Sequence, residues 1–163
     1  MAKNKDQNGP IRKHVVDLLS GKGAHASFDD VIKDLPANLR GKKPEGFPHS
    51  VWMLVEHIRI AQWDMLEFSR DKKHKSPQWP SGYWPKAEAP ADSEAWKQSV
   101  KQFHRDLKAM QDLVADQETD LFAKIPWGDG QTILKEALQL ADHNAYTVAQ
   151  IVDVRRMLGA WKG

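Results

Sequence analysis

Between Trp96 and Val114, the residues Trp96, Val100, Phe103, Leu107, Met110 and Val114 recur alternately four and three positions apart. This is the seam of an α-helix packing at a shallow angle in a bundle; a strand, with its period of two, cannot present it on one face. Asp92 or Ser93 is placed to cap the start of this helix, and the stretch 116–120 is too polar to continue its buried face.

The remaining segments repeat the helical period. Ile11, Val15, Leu18 and Leu19 line a first helix that stops at Gly21 and Gly23. Ser27 precedes Phe28, Val31, Ile32 and Leu35, and Asp30 stands three residues after it, the pattern of a capping box opening a short helix that ends near Pro36. A loop rich in Gly, Lys and Pro covers 36–48, and a strongly apolar helix then runs from Val51 to Phe68. Leu54, Ile58, Ala61 and Met65 mark its inner side; Glu56, Arg59, Glu67 and Arg70 mark its solvent face. Trp52, Ile60 and Trp63 widen the apolar arc, as burial against several neighbours, including a second subunit, would require. A last helix is expected from about Thr132, after the turn Gly128-Asp129-Gly130, with Leu134, Leu138, Ala141, Ala145, Val148 and Val152 inward as far as Gly159.

The fold class is therefore all-α, a four-helix bundle of up-down type with a long crossover loop and a short extra helix. It occupies one domain over residues 1–163, with 1–10 expected to be flexible. The crossover, 71–92, carries Pro77, Pro80, Pro85 and Pro90 together with Trp79, Tyr83 and Trp84. Three large aromatics argue against a disordered linker. They suit either a lid over a pocket or an anchored connection between helices.

With no cysteine, the chain has no disulfide, thiolate metal site or Cys nucleophile, and any thiol must come from outside. Lys and Arg number 24 against 22 Asp and Glu, so a net charge of +2 exerts little pull on nucleic acid or membrane. The basic run 70–75 reads as a solvated helix end. No apolar run is long enough to span a bilayer, and the polar start lacks a secretory or transit pattern, so the cytoplasm is the expected compartment. Gly21-Lys22-Gly23 lacks the spacing of a phosphate-binding loop, and neither a Gly-x-Ser-x-Gly elbow nor a His-Glu-x-x-His helix occurs.

Histidines carry the remaining chemistry. His57 lies on the inward half of its helix between Leu54 and Ala61, and His143 sits between Leu140 and Thr147 on the last helix. Buried imidazoles need partners, so each is either hydrogen-bonded core or part of a shared metal centre of the kind built inside bundles. His14, His25, His49, His74 and His104 read as surface residues.

The stretch Pro48-His49-Ser50-Val51-Trp52-Met53-Leu54-Val55-Glu56-His57-Ile58 and the stretch from Asp142 to Val152 resemble the two signature helices of the DinB superfamily. The turn from Gly128 to Thr132 and the closing stretch from Arg155 to Trp161 are similar to one of its bacterial branches. The resemblance implies a frequently dimeric four-helix bundle, here a homodimer. It also implies a divalent nickel, zinc or iron ion held by three histidines and acting on a small-molecule substrate. By position, the first two ligands are His57 and His143, and the third is replaced by Thr147, a poor ligand for such ions. Asp64, two helical turns beyond His57, is a candidate to complete the site. The family implies a metal-dependent hydrolase or a transferase joining a low-molecular-weight thiol to an electrophile. Thr147 motivates the alternative, a metal-free member acting as a small-molecule binding or dimerisation module.

Overall fold

A computed structural model describes residues 8–162. Of the ten residues expected to be flexible, 1–7 lie outside the described part, whereas Gly9 and Pro10 form the first turn of helix α1, Gly9–Leu19. Proline suits that position because its missing N–H is one that a helix start leaves unpaired. Helix α2, Phe28–Ile32, opens on the expected capping box of Ser27 and Asp30. The long helices are α3, Val51–Arg70, α4, Ser93–Ala115, and α5, Ile133–Met157. Each begins where a side-chain oxygen takes an otherwise orphaned amide: Ser50 from Met53, Asp92 from Ala95 and Thr132 from Lys135.

No strand is present among the described residues; one isolated bridge joins Lys124 to Thr132 ahead of α5. Helix α3 is the central element, packing on both α4 and α5, and α1 closes the bundle against the same two helices. The arrangement is an all-helical bundle. Leu54, Ile58, Leu66, Met110, Leu140 and Ile151 are fully enclosed. No helix among the described residues is long and apolar enough to cross a membrane.

Two buried arginines fasten chain ends to this core. Arg12 reaches across from α1 to donate to the carbonyls of Val114 and Thr119, where α4 ends. Arg155 on α5 donates to Val31 and Lys33 at the end of α2 and twice to Ala160, and lies over the Trp161 ring. Each guanidinium joins a carbonyl at a helix end, Val114 or Val31, to one in a loop, Thr119 or Ala160.

Several inward assignments need correction. Ile11 and Leu18 are exposed, and the inner face of α1 consists of Arg12, Val15 and Leu19. On α5 the buried apolar residues are Ile133, Ala137, Leu140, Ala141, Val148, Ile151, Val152 and Val154, while Leu138 is exposed and, with Leu134, faces a cavity. Glu56 and Arg59 do not simply face solvent: they pair at 2.7 Å, and Glu56 also accepts from Ser99 of α4.

The crossover from α3 to α4 is an ordered layer with a short 3-10 turn at Ser81–Tyr83. Its far end is pressed so closely on the loop before α3 that a Cβ on Gly41 would stand 2.2 Å from Ala89, so only glycine fits there. Ser50 donates to the Glu88 carbonyl at the same contact.

Candidate functional site

His57 projects from the middle of α3 and His143 from the facing part of α5, and their Nε2 atoms stand 3.0 Å apart. The Nδ1 of His57 lies 2.8 Å from the backbone carbonyl of Tyr83 in the crossover. A carbonyl can only accept, so His57 carries its proton on Nδ1 and presents a lone pair at Nε2. The hydrogen bond between the rings then places the proton on Nε2 of His143, leaving Nδ1 of that ring buried without a partner in the protein.

Both rings are neutral at physiological pH. Burial pushes His143 down to about 4, with the neighbouring His57 acting in the same direction. Burial also lowers His57, opposed in part by the hydrogen bond to Tyr83. A histidine depressed in the fold binds fewer protons than in the unfolded chain, so acid favours unfolding. For His143, that contribution to stability is present above about 6.5 and is lost progressively as pH falls towards about 4. Urea denaturation of metal-free protein across this window should show a steeper decline in the natural chain than in His143→Gln. Parallel curves would mean that His143 titrates as an ordinary exposed histidine.

The pair borders an open cavity of about 1010 Å³ between α3, α5 and the crossover. Its walls include Ala61, Met65, Leu134 and Leu138, with Trp79 and Tyr146 at its mouth and Lys135, Gln139 and Asp142 as polar groups. Such a volume accommodates a small organic molecule.

Asp64 lines this cavity, but both of its oxygens are occupied: Oδ1 accepts from His74 Nε2 at 2.7 Å and Oδ2 from the Tyr83 hydroxyl at 2.6 Å. It holds the crossover down. His74 is accordingly not a surface residue; its side chain is enclosed and meets Trp63 edge-on. His49 is also no surface residue, since its ring stacks on Trp84. His14, His25 and His104 are exposed. Thr147 is buried, is not among the residues lining the cavity, and turns its hydroxyl back to the His143 carbonyl at 3.0 Å.

Replacing Asp64 with Asn would remove the carboxylate charge and point an amide N–H₂ at one of two donors, so that either Tyr83 loses its acceptor or His74 must change tautomer. The expected cost is about 1–3 kcal/mol, with faster amide exchange across 74–84 and an unchanged helical spectrum. Unchanged exchange there would show that the crossover is held by its other contacts.

A family model described as the DinB superfamily matches residues 22–152. The chain belongs to the DinB superfamily. No curated protein and no solved structure matches it significantly. Within this DinB-superfamily bundle, His57 and His143 are brought together at the cavity wall. Among the described residues, no group of three or more His, Asp or Glu side chains is arranged to hold an ion.

Two functional candidates escaped the sequence reading. Tyr83 and Trp84 stood out there only as aromatics of a lid or of an anchored connection, yet one fixes the His57 tautomer and the other covers its ring. The available signal was Asp64 itself, a carboxylate on the apolar arc of α3 that needs donors from elsewhere in the chain.

Proposed function

We propose that this DinB-superfamily protein is a divalent-metal-dependent enzyme acting on a small molecule in the cavity beside His57 and His143, as a hydrolase or a thiol transferase. The observation that carries this reading is the approach of two neutral imidazole Nε2 atoms to 3.0 Å at the cavity wall. Adjacent nitrogen ligands of one ion, each bonded at about 2.0–2.1 Å, lie about 3 Å apart. His57 is also prepared as a ligand, because its other nitrogen donates to the Tyr83 carbonyl and its Nε2 lone pair, which accepts from His143, points into the space between the rings.

The donor set supplies two positions for nickel, zinc or iron; the others fall to water or to the occupant of the cavity. A bound ion would supply a water or thiolate nucleophile near neutral pH. The chain's own residues contribute the rest: apolar walls strip water from the substrate, and Lys135 and Asp142 offer opposite charges for orienting it. A thiol must come with the substrate, as the chain has no cysteine.

Nickel and zinc titrations followed by calorimetry, with elemental analysis of untagged protein, test this reading. The natural chain should take up one ion, and His57→Ala or His143→Ala should each weaken uptake at least about 10- to 100-fold. Uptake unaffected by either change would place any ion elsewhere.

A second reading is a metal-free binding module. It is favoured by the Thr147 hydroxyl turning to its own helix and by the unpartnered Nδ1 of His143, which would have to hold a proton if Nε2 became a ligand. Under that reading His57→Gln alters ligand affinity and stability, and added metal restores no turnover.

A further inference from the structure

Four aromatic rings stand in one continuous column that ends at the cavity. His49 stacks on Trp84 at 4.1 Å between centroids, Trp84 stacks on His57 at 4.0 Å and within 6° of parallel, and His57 meets His143 at 4.8 Å. Phe47 closes the far end, edge-on to His49 at 6.2 Å. The indole is thus held between two imidazoles, one from the loop before α3 and one from α3 itself.

We infer that Trp84 is a positioning residue that fixes the plane of the His57 ring and so aims its Nε2 lone pair at His143. The helix backbone alone does not set that plane: the terminal torsion of a histidine is broad, and a half-buried ring on a helix can turn over a wide range. Two constraints from the crossover remove this freedom. The Tyr83 carbonyl selects Nδ1 as the protonated nitrogen, and the adjacent indole face allows the ring to lie only parallel to it. Rotation would break the stack and the hydrogen bond together. His49 supports the indole from behind, so Trp84 cannot retreat without losing its second stack. Its remaining surface packs on the core cluster that contains Trp52 and Leu54.

The inference rests on the reading of His57 as a working group of the cavity, but its geometric content is measurable without metal or substrate. Long-range ¹H–¹⁵N correlation of the imidazoles, with His57 assigned through His57→Gln, reports which nitrogen carries the proton. The natural chain should show a single Nδ1–H form. Trp84→Leu should show averaged nitrogen shifts for His57, while Trp84→Phe, which keeps a flat face, should retain the single form. His49→Ala serves as a second variant if Trp84→Leu does not fold, and should loosen the pattern in the same direction. A folded Trp84→Leu, or failing that His49→Ala, with the natural His57 pattern would overturn the assignment.

Where the natural chain binds nickel, Trp84→Leu should weaken it about 10- to 100-fold, as expected for a group that orients a ligand. Unchanged nickel affinity would count against the positioning role. If the natural chain binds no nickel, the metal reading fails by itself and the nitrogen shifts alone decide the role of Trp84.

Discussion

Thr147→His should raise the affinity for nickel or zinc by more than about 100-fold, since a missing ligand outweighs the 10- to 100-fold effects of groups that only orient one. Residues four apart on a helix are neighbours on one face, so an imidazole at 147 lies one turn from His143. The natural threonine cannot serve in its place, because its hydroxyl is a weak ligand and already donates to the His143 carbonyl at 3.0 Å. The position is 1% exposed, so the larger ring is expected to lower stability by about 1–3 kcal/mol through overpacking. Calorimetric titration together with a thermal melt separates the two effects. An unchanged affinity in a folded variant would mean that the space beside Thr147 does not open towards the His57–His143 pair, and would count against a metal centre there.

Arg155→Ala should destabilise the fold by about 3–5 kcal/mol, among the largest single-residue effects a domain shows. The side chain is 5% exposed and serves three backbone carbonyls, those of Val31, Lys33 and Ala160. Truncation leaves the buried Val31 carbonyl and the part-buried carbonyls of Lys33 and Ala160 without this donor and uncovers the Trp161 ring. For a domain of this size the loss corresponds to a fall in melting temperature of roughly 10 °C. Arg155→Lys should recover only part of it, because an ammonium lacks the planar fork that spans separate acceptors. Chemical denaturation measures both. A loss below about 1 kcal/mol for the alanine variant would show that water replaces the guanidinium at these carbonyls.

The helices were legible because their signals are local. The alternation of four and three in α4 comes from residues within one turn of each other. Ser27, Asp92 and Thr132 start helices by binding amides three residues ahead. Which face a neighbour covers is less local, and the errors fall there. Leu138 and Leu134 have the spacing of a buried stripe, but the partner that would cover them is replaced by the cavity. Ile11 and Leu18 lost their inner places to Arg12, whose partners lie beyond residue 113.

The site divides the same way. His57 and His143 could be singled out from their places on apolar helix faces, and the structure brings them together. His49 and His74 read as surface because the groups that enclose them, Trp84 and Asp64, are 35 and 10 residues away in the chain. The role of the crossover could not be seen in its own composition. Four prolines and three aromatics indicate an ordered connection, but not that a backbone carbonyl within it meets an imidazole.

The two rings belong to rigid helices, while what orients one of them belongs to a connecting segment outside the bundle. A changed sequence between Arg70 and Asp92 can therefore reorient the His57 ring without altering any residue of the long helices. Transplanting this arrangement to another bundle would therefore take the segment together with His57, Asp64 and His143, the helix residues it touches or serves.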